Sequence, residues 1–164
     1  RYDIASGNVS ICAWFKSSTS GGNLGIVEKL QVTGSNPGYI VRLGNSSNQT
    51  IYCYLAGSTG AIASNNITAT ANLRDGTWKH LVVTFDRTGA GLVTAYINSV
   101  SQGTLSTSAV TGSADNTGNI YVGSDWTGAA GWFNGQLDEV LIVPRALTAN
   151  EVLRLYTNGT LTAD

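Results

Sequence analysis

The sequence predicts an all-β domain built from two antiparallel sheets, with one short helical turn near its C-terminus. Short segments of alternating apolar and polar residues, separated by Gly, Asn and Ser clusters, recur along the 164 residues. Charged residues make up only 12%, about half of the usual ~25%, which disfavours helical bundles and coiled coils. A hydrophobic content of 42%, with four Trp and seven Tyr, excludes a disordered chain. The length fits a single domain covering residues 1–164.

The alternation predicts about a dozen short strands, and this number favours a β-sandwich. In the first strand, Val9, Ile11, Ala13 and Phe15 share one face. A helix is predicted only after Thr148, where Thr at the N-cap and Glu at N3 form a capping box. The clearest strands cover residues 9–15, 25–30, 39–43, 50–55, 79–85, 92–98, 119–123 and 135–143.

The charge distribution excludes two classes of partner. The net charge is −1 and the isoelectric point is about 5.7, so the chain lacks the basic surface that nucleic-acid binding requires. No apolar run approaches the ~20 residues of a membrane helix, so membrane insertion is not expected. The chain contains no Met, which predicts a piece of a larger protein with neighbouring domains.

Two cysteines, Cys12 and Cys53, are too few for a disulfide scaffold or a zinc ribbon. They form either one bridge or two free buried thiols that pack as small hydrophobic groups. The sequence leaves both alternatives open.

From residue 76 onward, five phrases follow one another in a specific order. They are Trp78-Lys-His80 in a strand, a Tyr96-Ile-Asn98 hairpin, Tyr121-Val-Gly123, Phe133-Asn-Gly135-Gln-Leu-Asp138-Glu-Val, and Arg145-Ala-Leu-Thr-Ala-Asn-Glu151. This order resembles the laminin-G-like branch of the concanavalin A-like lectin/glucanase superfamily, and the match covers most of the chain. It departs at Asn98-Ser99, where the family has Asp-Gly, and the family's first strand is absent or precedes Arg1.

The resemblance implies a two-sheet antiparallel jelly roll and a structural calcium ion. Asp138 would be the metal ligand, together with backbone carbonyls of the early Gly-rich loop near Gly22 and Gly25. The alternative is that the Asp138 carboxylate accepts hydrogen bonds from the backbone or from an Arg, because an unpaired carboxylate within an apolar strand is costly.

Catalysis is not expected. The Glu-x-Asp strand of the glucanase relatives is missing, and the adjacent Asp138 and Glu139 should point to opposite faces of their strand. The single histidine, His80, belongs to no recognisable nucleophile motif, so a framework role is favoured over general-base chemistry.

The sequence favours a binding surface over a catalytic site. Tyr52, Tyr54 and Arg42, joined by Tyr96 and His80, are expected to share the exposed face of one sheet. The Gly-rich loop at residues 124–132 carries Asp125, Trp126 and Trp132. The expected ligand-binding residues are Trp126, Tyr52, Tyr54, Arg42 and Asp125.

Together these observations predict a non-catalytic carbohydrate-binding or adhesion module of a secreted or cell-surface protein, with an oligo- or polysaccharide as its ligand. The alternative is a structural or protein-interaction domain, in a fibre or surface protein, that binds no glycan and forms an oligomer. Light scattering and glycan-binding assays distinguish the two.

Overall fold

Two five-stranded antiparallel sheets pack face to face in the computed structural model, which describes residues 2–32, 34–60 and 62–161. The predicted all-β jelly roll is confirmed. The first sheet has the order β10-β1-β6-β7-β8 and the second the order β5-β4-β3-β2-β9. The strands are β1 (Val9–Lys16), β2 (Leu24–Leu30), β3 (Gly38–Leu43), β4 (Thr50–Ala56), β5 (Ile62–Thr68), β6 (Lys79–Asp86), β7 (Leu92–Ile97), β8 (Val100–Ser106), β9 (Ile120–Val122) and β10 (Gln136–Val143).

The core fills the space between the two sheets. Alternate residues of each central strand point inward, so Phe15 of β1, Tyr39 of β3 and Phe85 of β6 are buried in one continuous cluster. The other set of residues points outward, and these outer faces carry the features that matter for function.

Two strands were not predicted, and both lie at sheet edges. β5 and β8 are rich in Ser, Asn, Thr and Gln, so neither shows a clear apolar period. β8 follows β7 through a two-residue turn in which Asn98 and Ser99 both have positive φ, as a type I′ hairpin requires. The turn therefore fulfils the role of the family's Asp-Gly.

The C-terminal helix covers part of the outer face of the first sheet. α1 (Ala149–Asn158) begins with the predicted capping box, in which Thr148 N–H donates to Glu151 Oε2 at 2.8 Å. Val152 and Leu155 of α1 pack against the outward-facing Cys12 and Val82. Within the described residues, no helix is long and apolar enough to cross a membrane.

The two cysteines are free thiols. Cys12 lies between the first sheet and α1, whereas Cys53 lies in the core between the sheets. Burial raises the pKa of each thiol to about 12, so both remain protonated and pack as small hydrophobic groups.

Candidate functional site

A polar hollow opens on the outer face of the second sheet. Asn66 of β5, Tyr52 of β4 and Arg42 of β3 lie side by side across three paired strands. Asn23, just before β2, and Asn45, just after β3, complete the lining. The hollow measures about 300 Å³.

Arg74 fixes the two loops that carry the hollow's exposed amides. Its buried guanidinium donates to the carbonyl of Gly22 at 2.8 Å and to that of Gly44 at 2.7 Å. Gly22 precedes Asn23 in the chain, and Gly44 precedes Asn45. The carbonyls of residues 19 and 21 accept from the same group. One side chain therefore holds both loops in register at the rim.

The amides of Asn23 and Asn45 are free to meet a ligand. Both residues are exposed, and neither side chain makes a hydrogen bond to the described part of the chain. Asn66 is exposed as well and donates to Ser46 Oγ at 3.0 Å. Each free carboxamide offers two donors and an acceptor, which suits a ligand rich in hydroxyl groups.

Arg42 is held by two interactions at the floor of the hollow. Its guanidinium carbon lies 4.7 Å from the centre of the Tyr52 ring, and its Nε lies 3.5 Å from Glu28 Oε1. The terminal nitrogens of Arg42 donate no hydrogen bond to the described residues, so they remain available to a ligand. The guanidinium covers one face of Tyr52, and the ring also packs against the apolar cluster that contains Ile40 and Tyr54, so only part of it lines the hollow.

Glu28 is the buried counter-charge of Arg42. Its side chain is fully buried on the outer side of β2, and Oε2 accepts from Trp126 N at 3.1 Å. Burial raises the pKa of Glu28 to about 7, although Arg42 and the Trp126 N–H act in the opposite direction. Glu28 therefore links the floor of the hollow to the Trp126 loop.

The loop after β9 folds back over the same face of the sheet, and this changes the predicted roles of its residues. Trp126 is half-buried and packs with Leu30, Ile40 and Tyr54, so it is not the freely exposed anchor that the sequence suggested. Tyr54 is 8% exposed and donates to Asn36 O at 2.8 Å, so its ring cannot stack on a ligand.

Asp125 shapes the Trp126 loop. Its Oδ1 accepts from Thr127 N at 3.0 Å and from Thr127 Oγ1 at 2.5 Å. Burial alone would raise the pKa of Asp125, but these hydrogen bonds and those of residues 129 and 130 lower it below its usual value. The carboxylate is thus engaged within its own loop.

Tyr96 and His80 do not share this face. They belong to β7 and β6 of the first sheet, where Tyr96 packs against the cluster beneath α1. His80 is 4% exposed; its ring is tilted against Trp14 at a centroid distance of 5.1 Å and stacks on Tyr156 at 6.0 Å. Burial lowers the pKa of His80 to about 4, so the ring is neutral near neutral pH.

The donors expected for calcium do not fit a common site. The Gly22 carbonyl accepts from Arg74, a cation supplied by the chain itself. Gly25 is paired with Arg42 inside the second sheet, while Asp138 lies on the edge strand of the first sheet. Among the described residues, no group of three or more His, Cys, Asp or Glu could hold a metal ion.

Asp138 and Glu139 do not point to opposite faces. A β-bulge falls at Glu139, whose φ is +48°, and Leu137 and Val140 on either side of the pair both pack inward. Both acidic residues consequently line one hollow with Trp14 and Trp78 on the outer face of the first sheet. Both side chains are solvent-exposed.

Three of the five residues that line the polar hollow, all of them asparagines, were not predicted as site residues. Nothing in the sequence distinguishes these asparagines as binding residues, because Asn is common in the turns of this chain. Glu28 could have been identified, since an acidic residue inside the strand Leu24–Leu30 predicts a buried partner. Trp132, at the end of the Trp126 loop, is 60% exposed.

Comparisons with known proteins agree with this architecture. A family model described as Laminin_G_3, concanavalin A-like lectin/glucanases superfamily, matches residues 2–153. No curated protein has a matching sequence.

Three solved structures illustrate the likeness, and at their low sequence identities it shows the fold alone. The binding domain of Paraclostridial Mosquitocidal Protein 1 has a TM-score of 0.71 at 16% identity, and the alignment covers 96% of this chain but 38% of that one. The CBM40 of the Ruminococcus gnavus IT-sialidase has a TM-score of 0.69 at 14% identity, with 93% and 84% covered. Botulinum neurotoxin type C, whose cell entry depends on interaction with two ganglioside molecules, has a TM-score of 0.59 at 13% identity, with 95% and 36% covered.

Proposed function

The chain belongs to the Laminin_G_3 family of the concanavalin A-like lectin/glucanases superfamily, and we propose that it is a non-catalytic carbohydrate-binding module. The observation that carries the proposal is the hollow on the second sheet, where the free amides of Asn23 and Asn45 face the guanidinium of Arg42. Planar amides and a guanidinium recognise vicinal hydroxyls by paired hydrogen bonds, and the Tyr52 ring supplies an apolar surface for sugar C–H groups.

The size of the hollow limits what it can hold. At about 300 Å³ it lies at the lower end of the ~300–1,000 Å³ typical of ligand pockets. It therefore accepts one sugar unit, at the end or along the side of a longer chain. Trp126 and Asp125 act indirectly, because they shape the loop that covers Glu28, the partner of Arg42.

The setting of this function is extracellular or at a cell surface, within a larger protein. Two of the similar structures support this: one is the CBM40 of a sialidase, and the other belongs to a toxin whose cell entry depends on interaction with two ganglioside molecules. The chain spans only 38% of the mosquitocidal binding domain, which fits a module that works beside other domains.

A glycan array followed by affinity electrophoresis on the best glycan tests the proposal. Asn45→Ala removes an exposed amide without disturbing a hydrogen bond of the described structure, and it should weaken binding about tenfold, the value of one to two lost hydrogen bonds. Asn119→Ala is the matched control, because Asn119 is also exposed but lies outside the hollow. Absence of binding to every glycan, or equal binding by both variants, contradicts the proposal.

A further inference from the structure

A second hollow lies on the outer face of the first sheet, on the opposite side of the sandwich. Trp14, Trp78, Asp138 and Glu139 line it, and its volume is about 340 Å³. An adjoining hollow of about 250 Å³ runs on towards α1 and shares Glu139 with the first. Neither of them shares a lining residue with the hollow on the second sheet.

Two carboxylates face this hollow without a basic partner. Asp138 and Glu139 form no ion pair within the described part of the chain, and Asp138 Oδ1 accepts only from the backbone N–H of Glu139. The described residues that line the two hollows include no Lys or Arg. Lys16 lies on the same face of β1, two residues from Trp14 and opposite Gln136, but it belongs to neither lining. The two carboxylates are therefore the charged groups that line these hollows, and a bound cation can neutralise them.

The bulge that brings the two acids together carries backbone strain. Glu139 has a φ of +48°, a region that residues with a side chain seldom occupy. A regular strand would place Asp138 and Glu139 on opposite faces, and the bulge re-aims the second carboxylate. Strained positions of this kind concentrate at binding sites.

Two aromatic side chains, Trp14 and Trp78, line the hollow together with the two carboxylates. Trp78 is 41% exposed, and the Trp14 ring contacts His80 and Tyr156 at centroid distances of 5.1 and 5.8 Å. His80 lines the adjoining hollow, is 4% exposed, and its Nδ1 has no hydrogen-bond partner among the described residues. Because burial keeps the histidine neutral, it adds no competing positive charge.

We propose that this second hollow binds an organic ammonium cation, held between the Trp14 and Trp78 rings and neutralised by Asp138 and Glu139. Indole faces attract ammonium groups through their negative electrostatic potential, most strongly when the groups are methylated and weakly hydrated. The carboxylates add charge attraction, which a neutral ligand of equal shape does not experience.

Choline and its uncharged carbon analogue 3,3-dimethylbutan-1-ol provide a matched pair of probes. Titration is followed by NMR through the indole N–H signals, assigned by single Trp→Phe variants. Choline should shift the signals of Trp14 and Trp78 and leave that of Trp132 unchanged, and its affinity should exceed that of the alcohol by at least about threefold. Equal affinity for the two probes, or no shift with choline, overturns the proposal.

Variants locate the site. Asp138→Asn and Glu139→Gln keep the side-chain size and should each weaken choline binding by about threefold or more. Trp78→Ala should do the same, whereas Trp132→Ala, which removes another exposed Trp, should leave choline binding unchanged. Equal loss in both Trp variants overturns the proposal.

A trimethylated lysine amide, tested in parallel, shows whether the site binds only small free cations or also methylated lysine side chains. Binding of choline alone assigns the site to small free cations, and binding of both probes extends it to modified side chains. The glycan hollow lies on the other sheet, so the Asn45→Ala variant should bind choline normally, and failure of one proposal leaves the other standing.

Discussion

Replacement of Glu28 by Gln should change how the stability of the protein depends on pH. The Glu28 carboxyl is fully buried beneath the Trp126 loop, and its pKa is raised from 4.5 to about 7 by burial, against the opposing effects of Arg42 and the Trp126 N–H. The folded protein therefore binds this proton more tightly than the unfolded chain between pH 4.5 and about 7. Across that window, Glu28 lowers the free energy of unfolding as pH rises, by about 3 kcal/mol in all.

His80 acts in the opposite direction over an overlapping window. Burial lowers its pKa from 6.5 to about 4, so the unfolded chain binds that proton more tightly and stability increases as pH rises from about 4 to 6.5. This contribution is also about 3 kcal/mol. The two groups act in opposite directions between pH 4.5 and 6.5, so variants of each group are needed to reveal its contribution.

Urea unfolding at half-unit pH steps separates the two groups. Glu28→Gln should become more stable relative to wild type by about 3 kcal/mol as pH rises from 4.5 to 7, because Gln never ionises. The free energy of unfolding of His80→Gln should fall relative to wild type by about 3 kcal/mol over its window, because the variant lacks the stability that His80 contributes as pH rises. A difference between Glu28→Gln and wild type that stays constant to within about 1 kcal/mol across this window refutes the reasoning.

Three further predictions concern the loops and the helix. Arg74→Met should lower the free energy of unfolding by about 3 kcal/mol in urea denaturation, because the carbonyls of Gly22 and Gly44 lose a charged donor. Arg74→Lys should recover only part of this loss. An unchanged urea midpoint in Arg74→Met would show that Arg74 does not hold the two loops together. Thr148→Ala should lower it by about 1 kcal/mol through loss of the helix cap, and a change below about 0.3 kcal/mol would show that the capping box is dispensable. Calcium should not raise Tm and a chelator should not lower it, since Arg74 occupies the Gly22 carbonyl, and a chelator-reversible rise would reinstate a metal site.

The sequence predicted the central strands and the helix because their signals are local. The alternation in Val9–Lys16 and Lys79–Asp86 reflects one face in the core, and the Thr148–Glu151 capping box acts over three residues. The edge strands Ile62–Thr68 and Val100–Ser106 escaped prediction because an edge needs little apolar alternation.

The functional surfaces were harder to predict, because they depend on long-range contacts. The placement of Arg42 and Tyr52 on an outer sheet face followed from strand periodicity. The meeting of Asn23 and Asn45 depends on Arg74, some 30 to 50 residues further along the chain, and no local pattern reveals it. The bulge at Glu139 reversed the expected direction of that side chain, because strand periodicity assumes a regular ladder.

The central claim is that the hollow on the second sheet binds a glycan, and NMR of the side-chain amides tests it most directly. On titration with the best array glycan, the amide signals of Asn23, Asn45 and Asn66 should shift together at the concentration that half-saturates binding, while that of Asn119 should not move. A bound glycan that leaves these three amides unshifted, or shifts signals of the first sheet instead, would contradict the account.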